Sequence, residues 1–111
     1  MAKLFHNVAG STGVDVTLLS PGDISVPIKS IVITNTDASI KATLTMFLGK
    51  ASSTGKGAES YRFLKELSLP TKTTFIIDDN YIPGLLGYNK QIYGLYLTVA
   101  SSTNVDVLIN V

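Results

Sequence analysis

The chain has no cysteine, no tryptophan and a single histidine, His6. Without cysteine there are no disulfides, no thiolate zinc sites and no cysteine nucleophile, and stability is independent of redox state. His6 has no second histidine to share a zinc ion with, so no metal site is expected, and it reads as a surface or interface residue. Serines are numerous, but a serine nucleophile needs a base, His6 is the sole histidine available for it, and no motif surrounds any serine. No catalytic residue is expected. Charge is also scarce. Asp, Glu, Lys and Arg make up 15% of the 111 residues, against about 25% in a usual soluble domain. The nine basic and eight acidic residues are spread along the chain. No Lys/Arg cluster is present to displace counterions, so no nucleic-acid partner is expected. Wholly apolar runs are only a few residues long, which argues against a membrane span, and the first residues lack the apolar segment of a secretory signal.

What the chain has in quantity is Ser, Thr, Val and Ile, which favour pleated surfaces over helices. The dominant period is two. Val14, Val16 and Leu18 alternate with Asp15 and Thr17; Ala42, Leu44, Met46 and Leu48 alternate with Lys41, Thr43 and Thr45; Val105, Val107, Ile109 and Val111 alternate with Asn104, Asp106 and Asn110. Such segments offer one apolar and one wetter face. Turn residues separate them at 9–13, 20–23, 36–39, 70–72 and 101–104. The expected strands are 3–8, 14–19, 28–35, 40–48, 60–69, 73–78, 91–100 and 104–111. For 59–67 a short helix is the alternative, since Phe63 and Leu67 lie four apart. Ser101 to Asn104 is expected to close a hairpin between the last two strands. The expected fold is all-β: one antiparallel β-sandwich, jelly-roll-like or immunoglobulin-like, of about eight short strands in a single domain spanning 1–111.

Two segments stand apart. Residues 50–58 are small, polar and Gly-rich and read as a flexible, solvent-facing loop. Gly49 to Gly57 only superficially resembles a phosphate-binding loop: five residues rather than four separate Gly49 from Gly55, and Gly57 stands where the hydroxyl residue should follow Lys56. Residues 79–90 are apolar for a loop. Tyr81, Ile82, Leu85, Leu86 and Tyr88 are therefore the candidate partner-contact residues, with Tyr81 and Tyr88 also able in principle to stack on sugar rings. Asp78, Asp79 and Asn80 are spaced unlike any calcium loop and read as a strand-end turn. Glu59 and Glu66 fall in one expected strand, and nothing sets them across a cleft as a glycosidase pair requires. No cofactor is implied.

Three stretches taken together resemble small all-β virion proteins of tailed bacteriophages. They are Val26 to Ser39 with its I-x-S-I-x-I-x-N-T run, Tyr61 to Asp78 with a Tyr…Leu-Pro…Thr unit, and Gly94 to Ile109 with its V-D-V-x-I closing strand. The chain departs from the pattern at Pro70, which is followed by Thr71 and Lys72 where small residues and Gly are expected, and in the longer 79–90 segment. The resemblance implies a non-enzymatic structural role in a virion. The most specific form is a capsid decoration (cement) protein on the major capsid protein; the alternatives are a neck or tail accessory protein and, in another class, a carbohydrate-binding module. Low charge points the same way, because neutral polar surface is cheaper to dehydrate than ionised groups. Strands 28–35 and 104–111, carrying few charges, are expected to be sheet edges open to a neighbouring subunit in a homo-oligomer or multi-copy assembly.

Overall fold

The computed structural model describes residues 4–10, 15–50, 60–81, 83–100 and 103–111. Eight strands run in order: β1 (Phe5–Ala9), β2 (Asp15–Leu19), β3 (Ser30–Asn35), β4 (Ala42–Lys50), β5 (Ser60–Leu69), β6 (Thr74–Asp78), β7 (Tyr93–Val99) and β8 (Asn104–Asn110). Among the described residues between β6 and β7, Leu85–Gly87 form a 3₁₀ turn. Residues 60–69 form a strand, not the alternative helix. The Gly-rich 50–58 segment lies, from residue 51 on, outside the described residues.

Period-two alternation leaves each sheet with one face that must find a second layer. Two four-stranded antiparallel sheets supply it. Sheet A has the order β1-β8-β3-β6 and sheet B the order β2-β7-β4-β5. β1 pairs with β8, β2 with β7, β3 with β6 and β4 with β5. That is one long antiparallel hairpin with its turn between β4 and β5. Two further pairings, β3 with β8 and β4 with β7, roll the hairpin up. The result is a jelly roll, a double-sheet all-β architecture.

The alternating residues meet in the core as expected. Leu44, Met46, Val105 and Val107 are fully buried, together with Ile31, Ile33, Ile77, Leu97 and Val99 from the facing strands. β5 departs from simple alternation. Its register against β4 slips at two places, and Glu66 takes a left-handed conformation with φ 53°. Across these slips Tyr61, Leu64, Leu67 and Leu69 lie opposite the inward-facing Leu48, Met46, Leu44 and Ala42, with spacings of three, three and two in place of a constant two; Tyr61, at the open end of the edge strand, remains 60% exposed.

Two expectations are corrected by the topology. β7 and β8 belong to different sheets, so they do not form the expected hairpin. β3 and β8 are interior strands of sheet A; the sheet edges are β1, β6, β2 and β5. The scarcity of charge in 28–35 and 104–111 reflects strands hydrogen-bonded on both sides, where charged gatekeepers are not needed.

One polar side chain sews the corners at one end of the sandwich. Asn35 is wholly buried. Its Nδ2 donates to the carbonyls of Ile40 and Leu69, both at 3.1 Å, and its Oδ1 accepts the Asp37 N–H at 2.9 Å. The Asp37 carboxylate in turn accepts the N–H groups of Ser39 and Ile40 at 2.9 and 3.0 Å, and these bonds hold its carboxyl below the usual value. The turns after β3 and after β5, each crossing between sheets, are thus held by one amide.

Candidate interaction surface

A sandwich has two outward faces, and here they differ in kind. Sheet B covers its own. Phe47 and Tyr96 are direct cross-strand partners, stacked at 5.2 Å between ring centroids and 18° between planes. The Arg62 guanidinium lies 5.6 Å from the Phe47 centroid. Glycine makes this possible: Gly49 and Gly94 pair two positions along on the same face, leaving room beside the rings. A Cβ at Gly94 would fall 2.8 Å from the Leu19 carbonyl oxygen and 2.9 Å from the Tyr96 hydroxyl. Although on the outer face, Phe47 and Tyr96 are only 2% and 4% exposed. Gly94→Ala is therefore expected to destabilise the fold by about 2 kcal/mol, read as a lower denaturation midpoint; an unchanged midpoint would show that β2 and Tyr96 can shift at no cost.

Sheet A leaves its outer face open. Phe5 pairs with Leu108, Leu108 with Val32, and Val32 with Ile76. These four side chains form one apolar row crossing every strand of the sheet. Phe5 is 51%, Leu108 42% and Ile76 53% exposed, and Val32 is half-buried between its neighbours. Polar rows flank the apolar one. On one side lie Asn7, Asp106, Thr34 and Thr74, joined by hydrogen bonds from Asn7 Nδ2 to Asp106 Oδ1 at 2.7 Å and between the Thr34 and Thr74 hydroxyls at 2.9 Å. On the other lie Asn110, Ser30 and Asp78, with Asn110 Nδ2 donating to Ser30 Oγ at 2.8 Å. An open groove of about 380 Å³ follows the first polar row toward Thr36 and Asn104. An apolar centre with a hydrogen-bonded polar rim is the anatomy of a protein interface.

The residues singled out in 79–90 are not brought together on the surface. Leu86 is 4% exposed and belongs to the core, so it is removed from the contact set: the 3₁₀ turn folds it down to plug one end of the sandwich. Leu85 and Tyr88 are half-buried against the same core. Ile82 lies outside the described residues. Among the described residues of the set Tyr81 is the exposed one, at 45%, its ring edge-on to Phe75 at 5.2 Å. Lys90 organises the segment. It is only 9% exposed; its ammonium donates to the Leu86 and Tyr88 carbonyls at 2.9 and 3.0 Å and sits 4.6 Å from the Tyr88 centroid. Lys90 thus takes one face of the half-buried Tyr88 ring, while Tyr81 stands exposed against Phe75.

Burial pushes the Tyr88 hydroxyl up to about 12 and lowers Lys90. A tyrosine whose folded value is raised favours folding below its unfolded value, about 10, and that stability is lost as pH rises through the folded one. Fold stability is expected to fall between about pH 10 and 12, and Tyr88→Phe is expected to flatten that decline. Lys90 acts oppositely at lower pH: its lowered value makes stability rise as pH approaches the ordinary lysine range. An alkaline denaturation series on both proteins checks the window.

Among the described residues, no three His, Cys, Asp or Glu side chains gather to hold a metal ion. No protein family, curated protein or solved structure matches the chain.

The apolar row escaped sequence reading because its members come from four strands whose register was unknown. A local signal existed. Ile31-Val32-Ile33, Phe75-Ile76-Ile77 and Val107-Leu108-Ile109 are apolar triplets, and in a strand the middle residue of each must face away from its neighbours.

Proposed function

We propose that this protein is a non-enzymatic structural component of a bacteriophage virion, most specifically a capsid decoration protein that docks on the major capsid protein through the outer face of sheet A. The observation that carries the reading is the Phe5–Leu108–Val32–Ile76 row on a jelly roll whose opposite face is closed by its own aromatic stack. Jelly rolls recur in viral capsid proteins, though the same fold hosts other functions. The resemblance of 26–39, 61–78 and 94–109 to tailed-phage virion proteins supports the same class. Thr, Ser and Asn make up most of the rim, with Asp106 and Asp78 its charged members, and neutral polar groups are cheaper to dehydrate on assembly than ionised ones.

Quantitative mass spectrometry of purified particles tests it. A decoration protein is expected at on the order of hundreds of copies per particle, whereas about six to twelve would move the site of action to the neck or tail. Absence from the particle would sink the virion reading altogether.

A further inference from the structure

We propose that β6 is a self-association edge: two copies pair antiparallel through Thr74–Asp78 about a two-fold axis at Ile76, joining two A sheets into one eight-stranded sheet.

The four edge strands are unequally guarded. β5 carries two register slips together with Arg62, Lys65 and Glu66, and β2 is bulged between Thr17 and Leu19. Bulges and charges of this kind block strand addition. β6 has neither: it is straight against β3, and its only charge is Asp78 at one end.

The backbone parity of β6 suits a two-fold pairing. The Asn35 N–H donates to the Thr73 carbonyl at 3.0 Å, so Thr73, Phe75 and Ile77 turn toward β3. Alternation then turns the N–H and C=O of Thr74 and Ile76, and the N–H of Asp78, outward along the open edge. With the axis at Ile76, Ile76 exchanges bonds with its copy and the Asp78 N–H meets the Thr74 carbonyl.

Charge specifies the occupant. One end of β6 is preceded by exposed Lys72; the other carries Asp78 followed by exposed Asp79. Antiparallel self-pairing sets Lys72 of each copy opposite Asn80 of the other and diagonal to its Asp78, whereas parallel pairing would set like charges together. β1 is also straight, but self-pairing about Asn7 would place Phe5 against Ala9 with no charge to fix its register. At β6 the pairing also sets Ile76 beside its copy, so the apolar row continues unbroken across the joined sheet. The self-association does not depend on the virion reading, and it leaves the outer face of sheet A free.

The absence of native cysteine makes crosslinking a clean test. Residues facing each other in a hydrogen-bonded antiparallel pair have Cα atoms about 5.5 Å apart, inside the range a disulfide spans. Ile76→Cys is expected to form a disulfide-linked dimer on mild oxidation at least about tenfold faster than Leu108→Cys, which shares the face but lies two strands away. The unmodified chain is expected to show dimer by sedimentation equilibrium at about 1 mM, where even a weak interface is populated. Lys72→Glu is expected to raise the dimer dissociation constant about threefold or more. A strictly monomeric chain at that concentration overturns the proposal. So does crosslinking at Leu108→Cys that matches or exceeds Ile76→Cys, which would mean that copies stack face to face.

Discussion

Asn35→Leu is expected to lower fold stability by about 3–5 kcal/mol. Leucine has the same branched four-atom skeleton as asparagine with bulkier methyl ends, so the loss comes from unsatisfied polar groups rather than from a cavity. Three backbone groups depend on the Asn35 amide: the carbonyls of Ile40 and Leu69 and the N–H of Asp37. Each unsatisfied buried group costs about 1–3 kcal/mol; the Leu69 carbonyl is buried, the Ile40 carbonyl and the Asp37 N–H are part-buried, and the Asn35 side chain itself has no exposed surface. A domain of this size has only about 5–15 kcal/mol in hand, so the variant should be marginal at 37 °C. Urea denaturation reads it as a lower midpoint at unchanged slope. Asn35→Asp gives the same site a pH signature. An ionised carboxylate cannot donate to two carbonyl oxygens, so its folded value should lie above the unfolded one, about 3.9. Stability is then present at acid pH and lost as pH rises through the folded value. A pH-independent Asp variant, or an Asn35→Leu variant as stable as the parent, would mean that the two corners are held by something other than this amide.

Leu108→Lys is expected to leave the fold intact and to weaken docking on the partner by about 3 kcal/mol, on the order of 100-fold in affinity. Leu108 points outward from an interior strand and contributes no core packing, so the effect on folding should fall within the small range of surface substitutions. At the centre of a buried apolar row, however, an ammonium must be dehydrated, and the Asp106 carboxylate two residues along the same face is already engaged by Asn7. Tyr81→Ala serves as the contrast. Tyr81 is exposed but lies in the 79–90 segment beyond the end of β6 rather than in the row, and its loss should change docking little. Equal losses in both variants would place the contact at the end of the sandwich instead of on the face of sheet A.

Much of the architecture could be read from period and turns alone. The inward residues of β4 and β8 follow strict alternation, and turn residues bracket most of the other strands. β5 was harder because two bulges break its period. What alternation does not encode is which strand lies beside which. That is why 104–111 looked like a hairpin partner and an edge, when long-range pairing with β1 and β3 makes it the interior of sheet A. The same gap explains the surface. Leu86 looked available because loops are ordinarily exposed, yet Lys90 bonds the Leu86 and Tyr88 carbonyls and folds the loop back as a plug. Phe5, Val32, Ile76 and Leu108 become one surface only when four strands are in register. The low charge of the chain also gains a location: the outer face of sheet A is apolar at its centre and neutral over most of its rim.

The most direct test is the incorporation of Leu108→Lys into particles, measured against the parent protein by quantitative mass spectrometry, with circular dichroism and a denaturation midpoint confirming that the variant is folded. A folded variant lost from the particle is the predicted result. A folded variant incorporated at the parent's copy number would contradict the assignment of the sheet A face as the docking surface.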